Sequence, residues 1–139
     1  MRKLMNSKSL ELVKAEEGYR QFPYTCSAGK VTIGYGFNLE DVGLSEDEAE
    51  LLLEYRLQKI EEKMFHHHYW YRYLNENRRA IVDSMVYQLG YEGFTKFKKM
   101  INALEDEDYT EAAIQMLDSL WAKQTPERAL RASEIMKQG

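Results

Sequence analysis

At 139 residues, with 44% hydrophobic residues and a net charge of −4, the chain has the size of one compact domain that can bury a core without covalent staples. Its single cysteine, Cys26, excludes an intramolecular disulfide framework. No apolar run approaches membrane-spanning length, and Met1–Lys8 lacks the apolar stretch of a secretory leader. The charge is unevenly spread. Residues 37–62 hold nine acids against two bases and 105–108 add four acids, so the rest of the chain is positive by seven. Acidic outer surfaces can therefore keep the protein dispersed while the remainder faces an anionic polymer. No basic stripe with interleaved aromatics speaks for nucleic acid.

The first predicted element is a helix capped by Asn6 or Ser7 and running through Ala15 or Glu16, with Gly18 supplying the left-handed turn that ends it. Glu17 then sits at the negative end of the helix dipole beside Glu16, and both neighbours favour the protonated carboxyl that a general acid needs. A β-hairpin follows: Phe22–Cys26 as one strand, Ser27–Lys30 as the turn and Val31–Tyr35 as the other strand. Period-2 alternation places Val31, Ile33 and Tyr35 on one face, expected to pack. The other face carries Thr32, Gly34 and Gly36, bare enough for a bulky ligand to approach the backbone.

Ser45 and Glu48 form a capping box, and Ala49, Leu52, Leu53, Ile60 and Met64 recur at helical spacing, which predicts a helix of about five turns. His66, His67 and His68 point about 100° apart on such a helix and do not converge on one ion, so no metal site is expected. Tyr69–Tyr73 reads as aromatic packing between helices. Later helices are predicted at 76–89, 94–104, 109–120 and 126–137. Gly90 ends the first of these, Asp108 with Glu111 caps the third, and Thr125-Pro126 opens the last. There are no internal repeats or low-complexity linkers.

One constellation stands out: Glu17, eight residues, Cys26, five residues, Thr32, then Ile33-Gly34-Tyr35-Gly36. It resembles the active-site signature of the phage-type lysozymes, glycoside hydrolase family 24, in which aspartate or cysteine holds the middle position. Two further blocks carry the resemblance. One is Asn77-Arg78-Arg79-Ala80 with Met85-Val86-Tyr87-Gln88-Leu89-Gly90 and Gly93-Phe94; the other is Trp121 with Gln124-Thr125-Pro126, Arg128-Ala129 and Arg131. Alone, Arg128 reads equally as a surface helix residue, and Tyr87 with Gln88 as a core-edge pair. Two departures are visible. Phe37 replaces a histidine frequent in the family, and the stretch from Gly36 to Ser45 is short, implying a reduced N-terminal sheet.

The resemblance implies a predominantly α, α+β lysozyme-like fold of one domain, 1–139. Its parts would be a small hairpin lobe at about 1–44, a connecting helix at about 45–65 and a helical lobe at about 66–139. It implies cleavage of the β-1,4 bond between N-acetylmuramic acid and N-acetylglucosamine without a cofactor. Glu17 is implied as general acid, Cys26 as its partner across the sugar and Thr32 as the hydroxyl that orients water. Arg128 matches the arginine that pairs with the catalytic glutamate, a cation that opposes the effects of the dipole and Glu16 and leaves the net direction at Glu17 open, and Tyr87, Gln88 and Gln115 match positions lining the saccharide cleft. The implied partner is the bacterial peptidoglycan strand, reached from a host cytoplasm after a holin or equivalent opens the membrane. A monomer with no stable membrane association is expected. A lytic transglycosylase and a non-catalytic peptidoglycan-binding homologue are the alternatives. Because an ordinary thiol has a pKa near ~8.5, Cys26 acts either with help from cations such as Arg20 or Lys30, or as a minor thiolate, or as a hydrogen-bonding water holder. A covalent route through the thiolate stays open.

Overall fold

The computed structural model describes residues 5–139, so the first four residues of the stretch weighed as a leader lie outside it. The described chain is predominantly helical with one small antiparallel sheet, the α+β lysozyme-like class. It divides into two compact units, 1–51 and 52–139.

In the first unit, α1 (Ser7–Glu17) starts where the Asn6 side chain accepts from the Lys8 amide at 2.9 Å, and it stops at Gly18, whose φ is 70°. The sheet comprises β1 (Arg20–Thr25), β2 (Val31–Gly34) and β3 (Phe37–Asn38), in the order β1-β2-β3. Tyr24 pairs with Thr32 and Thr25 with Val31, with an irregularity between Arg20 and Tyr24. The hairpin closes through the Cys26 amide to the Lys30 carbonyl at 2.9 Å and the Gly29 amide to the Cys26 carbonyl at 2.8 Å. Strand β3 falls outside the expected hairpin. At two residues it is too short to show an alternation, and it is held by the Leu39 amide on the Val31 carbonyl and by Lys30 bridging Glu40 and Asp41.

The expected packing of the sheet is inverted. Val31 and Tyr35 are exposed, whereas Thr32 is 3% exposed and is the one buried residue among the described residues of this unit. Alternation separates two faces correctly, but which face is covered depends on what folds over it.

The long helix α2 (Glu46–His67) begins with the expected capping box: the Ser45 amide donates to Glu48 at 2.8 Å and the Glu48 amide to Ser45 Oγ at 3.2 Å. The boundary between units falls within it. A 3-10 helix over Tyr69–Tyr73 buries Trp70 and Tyr71, as aromatic packing requires. His68 joins this cluster, sharing a 2.8 Å hydrogen bond with the Tyr91 hydroxyl and lying 5.2 Å from the Trp70 ring.

The second unit's helices are α3 (Glu76–Thr95), α4 (Lys98–Glu105), α5 (Tyr109–Leu117), α6 (Leu120–Gln124) and α7 (Pro126–Gln138). Gly90, at φ 78° and ψ 160°, breaks α3 where a stop was predicted, but the chain resumes helical turns to Thr95. Phe94 thus belongs to α3, and α4 begins four residues later than expected. The 109–120 prediction likewise splits, because the Ser119 hydroxyl accepts from the Ala122 amide at 3.1 Å and opens α6. Asp108 caps α5, yet Glu111 accepts from Gln115 instead of closing the box. Thr125 donates to the Trp121 carbonyl at 2.9 Å instead of capping α7, which starts on Pro126 as predicted.

The core of this unit is rich in methionine: Met64, Met85, Met100, Met116 and Met136 are all essentially inaccessible. Thioethers on flexible stems fill the irregular space between short helices. Arg78 ties the end of α7 to the start of α3 by donating to the Met136 and Lys137 carbonyls, a cation placed at the negative end of a helix.

Candidate active site

Glu17 and Thr32 both belong to the first unit, one at the end of α1 and the other in β2. Glu17 is the last residue of α1, and Gly18 turns the chain straight into β1. A β-carbon at Gly36 would overlap the Glu17 carboxylate, so the side chain lies across the bare backbone of Gly36, whose φ of +65° also demands glycine. The glycine expected to admit a ligand is therefore occupied by the chain's own acid. Gly34, at φ +68°, has open space above it and keeps the room expected for a ligand.

Thr32 is fixed by its place in the middle of the sheet, between Tyr24 of β1 and Asn38 of β3. Its hydroxyl donates to the Lys30 carbonyl at 2.9 Å, which anchors the side chain. Cys26 stands at the first position of the hairpin turn, half-buried and with a free thiol. Its thiol is held below its ordinary value first by the Lys30 backbone, then by the Thr32 side chain and then by the Ala28 backbone, with slight burial opposing them. The expected help from cations is replaced by dipoles. The Lys30 ammonium lies 3.3 Å from Asp41 and 3.7 Å from Glu40, and the Arg20 guanidinium sits over the Tyr24 ring at 4.4 Å. Glu17, Cys26 and Thr32 thus present, on one small sheet and its turn, a carboxyl, a thiol biased toward thiolate and a hydroxyl.

The other predicted site residues belong to the second unit. Gln88 accepts from Trp121 Nε1 at 2.8 Å, giving a mostly buried indole its needed partner. Gln115 donates to Glu111 at 2.8 Å and shares with Trp121 the lining of a cavity of about 630 Å³ between α3, α4, α5 and α6. Tyr87 is 52% exposed and lines a different cavity, beside α2. The Arg128 guanidinium donates to Ser84 Oγ at 2.8 Å. Trp121 and Ser84 had not been singled out as site residues. Trp121 was detectable as a large aromatic whose N–H must find an acceptor; nothing local in the sequence marks Ser84. Among the described residues no three His, Cys, Asp or Glu side chains are grouped to hold a metal, and no helix is long and apolar enough to cross a membrane.

Comparison with known proteins gives these geometries a family. The chain is 36% identical over 69 residues to a probable T4-type lysozyme 2 of Dictyostelium discoideum, covering 50% of this chain and 41% of that protein. It is 26% identical to the pre-baseplate central spike protein Gp5 of Enterobacteria phage T4, over 96% of this chain and 28% of the other. It is 28% identical to an endolysin of Acyrthosiphon pisum secondary endosymbiont phage 1, over 86% of this chain and 80% of that one. The match thus spans less than half the length of the Dictyostelium and T4 relatives. The phage lysozyme family model matches residues 14–132, which include Glu17, Cys26, Thr32 and all four candidate residues of the second unit, and the chain belongs to the phage lysozyme family.

Proposed function

We propose that the protein is a peptidoglycan hydrolase of the muramidase type, cleaving the β-1,4 bond between N-acetylmuramic acid and N-acetylglucosamine. The observation that carries this reading is the placement of Glu17 against Gly36, in the turn that follows the strand seating Thr32, while the turn before that strand holds a thiol with a lowered pKa. Glycoside cleavage needs a proton for the leaving oxygen and a second group on the opposite side of the sugar. Glu17 supplies the proton. Cys26, as thiolate, takes a proton from the attacking water or attacks the anomeric carbon itself, and Thr32 orients the water. Arg128, Tyr87, Gln88 and Gln115 position the glycan. The protein is made in the host cytoplasm, acts as a monomer without binding the membrane, and reaches the wall once a holin or an equivalent lesion opens the membrane.

Mass analysis of the fragments released from purified peptidoglycan by the wild type, Glu17→Gln and Cys26→Ser tests this. Fragments with intact reducing ends, near-complete loss in Glu17→Gln and a large loss in Cys26→Ser are expected. Fragments lacking one water would make the protein a lytic transglycosylase. Binding without release of any fragment would make it a wall-binding homologue. Full activity in folded Glu17→Gln would remove the acid assignment.

A further inference from the structure

Within the second unit a cavity of about 430 Å³ separates α2 from α3, and its wall is chemically one-sided. Arg56, Lys59 and Lys63 project into it from α2, opposite Tyr87 and Tyr91 of α3. Helix α2 carries seven acids and only these three arginine and lysine residues. All three line the cavity, and no acid does.

The cations are also largely unengaged. Among the described residues neither Arg56 nor Lys63 makes an ion pair, and the contacts of Lys59 are Glu62 at 3.7 Å, both side chains exposed, and the Tyr55 ring at 5.4 Å. Exposed pairs of that kind contribute on the order of 0–1 kcal/mol and give way to a better partner. The wall is preorganised by Tyr91, whose hydroxyl is held by His68 at 2.8 Å and whose ring carries the Lys63 ammonium at 4.2 Å. The positions 56, 59 and 63 climb the helix at about 1.5 Å per residue, a row on the order of 10 Å long. Such a row suits several carboxylates spaced along a chain better than one compact ion, and the tyrosine faces suit the apolar atoms between them.

We propose that this cavity is a subsite for the stem peptide of peptidoglycan, with Arg56, Lys59 and Lys63 receiving its carboxylates and Tyr87 and Tyr91 packing against the peptide and its sugar. The inference rests on the muramidase reading for its occupant.

The test uses the full chain carrying Glu17→Gln, with the three cations intact or replaced together by Arg56→Gln, Lys59→Gln and Lys63→Gln. All three side chains are exposed, so the fold should tolerate their loss, which thermal melting checks. Calorimetric titration compares a disaccharide-tetrapeptide, the same disaccharide without peptide, and a glycerol-phosphate polymer. With the cations intact, the peptide-bearing ligand should bind at least about tenfold more tightly than the bare disaccharide, and the triple variant should lose that preference. Lys63 and Tyr91 resonances should shift with the peptide-bearing ligand only. Equal binding of both disaccharides, a preference that survives in the triple variant, or selective binding of the phosphate polymer would overturn the proposal. Because these readouts are binding, a wild type that releases no fragments would sink the muramidase reading while leaving the peptide preference to stand or fall separately.

Discussion

The contact between Glu17 and Gly36 yields a sharp experiment, because a second glycine serves as its internal control. Gly36→Ala imposes two costs. At φ +65° an alanine is strained by on the order of 1 kcal/mol, and its β-carbon invades the space of the Glu17 carboxylate. Gly34→Ala imposes only the first, since φ there is +68° and nothing lies within contact of the new carbon. The end of a glutamate is flexible and Glu17 is exposed, so the collision is relieved by swinging the carboxylate away, on the order of an ångström or more to restore van der Waals separation. Stability should therefore fall equally in the two variants, by about 1 kcal/mol and a few degrees in melting temperature. Activity should not. A displacement of about 1 Å in a reacting group costs about a hundredfold, so Gly36→Ala should lose about 10²-fold in kcat on purified peptidoglycan, whereas Gly34→Ala, which narrows the ligand's approach without touching Glu17, should raise KM and leave kcat within a few fold. Melting curves and initial rates of fragment release on both variants decide it. Equal activity in two equally stable variants would refute the idea that Gly36 sets the position of the acid.

Three further expectations follow. Cys26→Asp should retain cleavage, because the Lys30 and Ala28 backbone and the Thr32 hydroxyl favour an anion at that position. It should resist iodoacetamide, which should inactivate the wild type, and its activity should extend to lower pH; an unchanged pH profile would argue against an anionic partner. Gln88→Leu leaves Trp121 Nε1 without its acceptor, and denaturant titration should show a loss of about 1–3 kcal/mol. Asp83 accepts from the Tyr71 hydroxyl, and burial first of all, with help from Glu61, raises its carboxyl to about 6 against the pull of that hydrogen bond and of Arg79. A raised carboxyl contributes stability below the unfolded value of ~3.9 and loses it as pH climbs through about 6. The shift corresponds to at most ~3 kcal/mol, reduced by solvent screening to about 1 kcal/mol. Relative to wild type, Asp83→Asn should therefore gain about that much between pH ~4 and pH ~7.5 in urea unfolding, and a difference independent of pH would contradict it.

What the sequence disclosed divides along the range of the forces involved. Caps act over three residues, and so Asn6, the Ser45–Glu48 box, Asp108 and Pro126 marked helix starts correctly. Gly18 and Gly90 marked breaks for the same reason, as positive-φ positions where only the backbone conformation matters. The failures all need distant chain. The helix expected at 94–104 ran through residues that belong to two elements, because the apolar period of Phe94, Phe97, Ile101 and Leu104 continues across the turn at Lys96–Phe97. The covered face of the sheet was misjudged for a similar reason. The Gly36 position looks solvent-open until Glu17 is laid against it, and no local pattern announces that Thr32 is buried. The row of cations on α2 was legible in principle, since 56, 59 and 63 share a helical stripe; the averaged charge of the acidic segment concealed it.

The chemistry at Cys26 follows from the same distinction. A cation near a thiol lowers its pKa at long range but is itself drawn away by competing acids, and this hairpin has them: Glu40 and Asp41 hold Lys30. Backbone dipoles in a tight turn cannot be drawn off, because the bonds that orient them are the bonds that close the turn, Cys26 to Lys30 and Gly29 to Cys26. Anion stabilisation at this position is therefore a property of the hairpin's own hydrogen bonding. Either an aspartate or a cysteine at the turn meets the same donors, which explains physically why a family signature admits both there. The two residues differ in what happens next. A carboxylate at that point is ionised at any pH the cell reaches, whereas a thiol ties activity to its thiolate fraction and to the redox state of its surroundings. On the proposed reading, the cysteine that serves cleavage is also the one thiol in the chain open to oxidation.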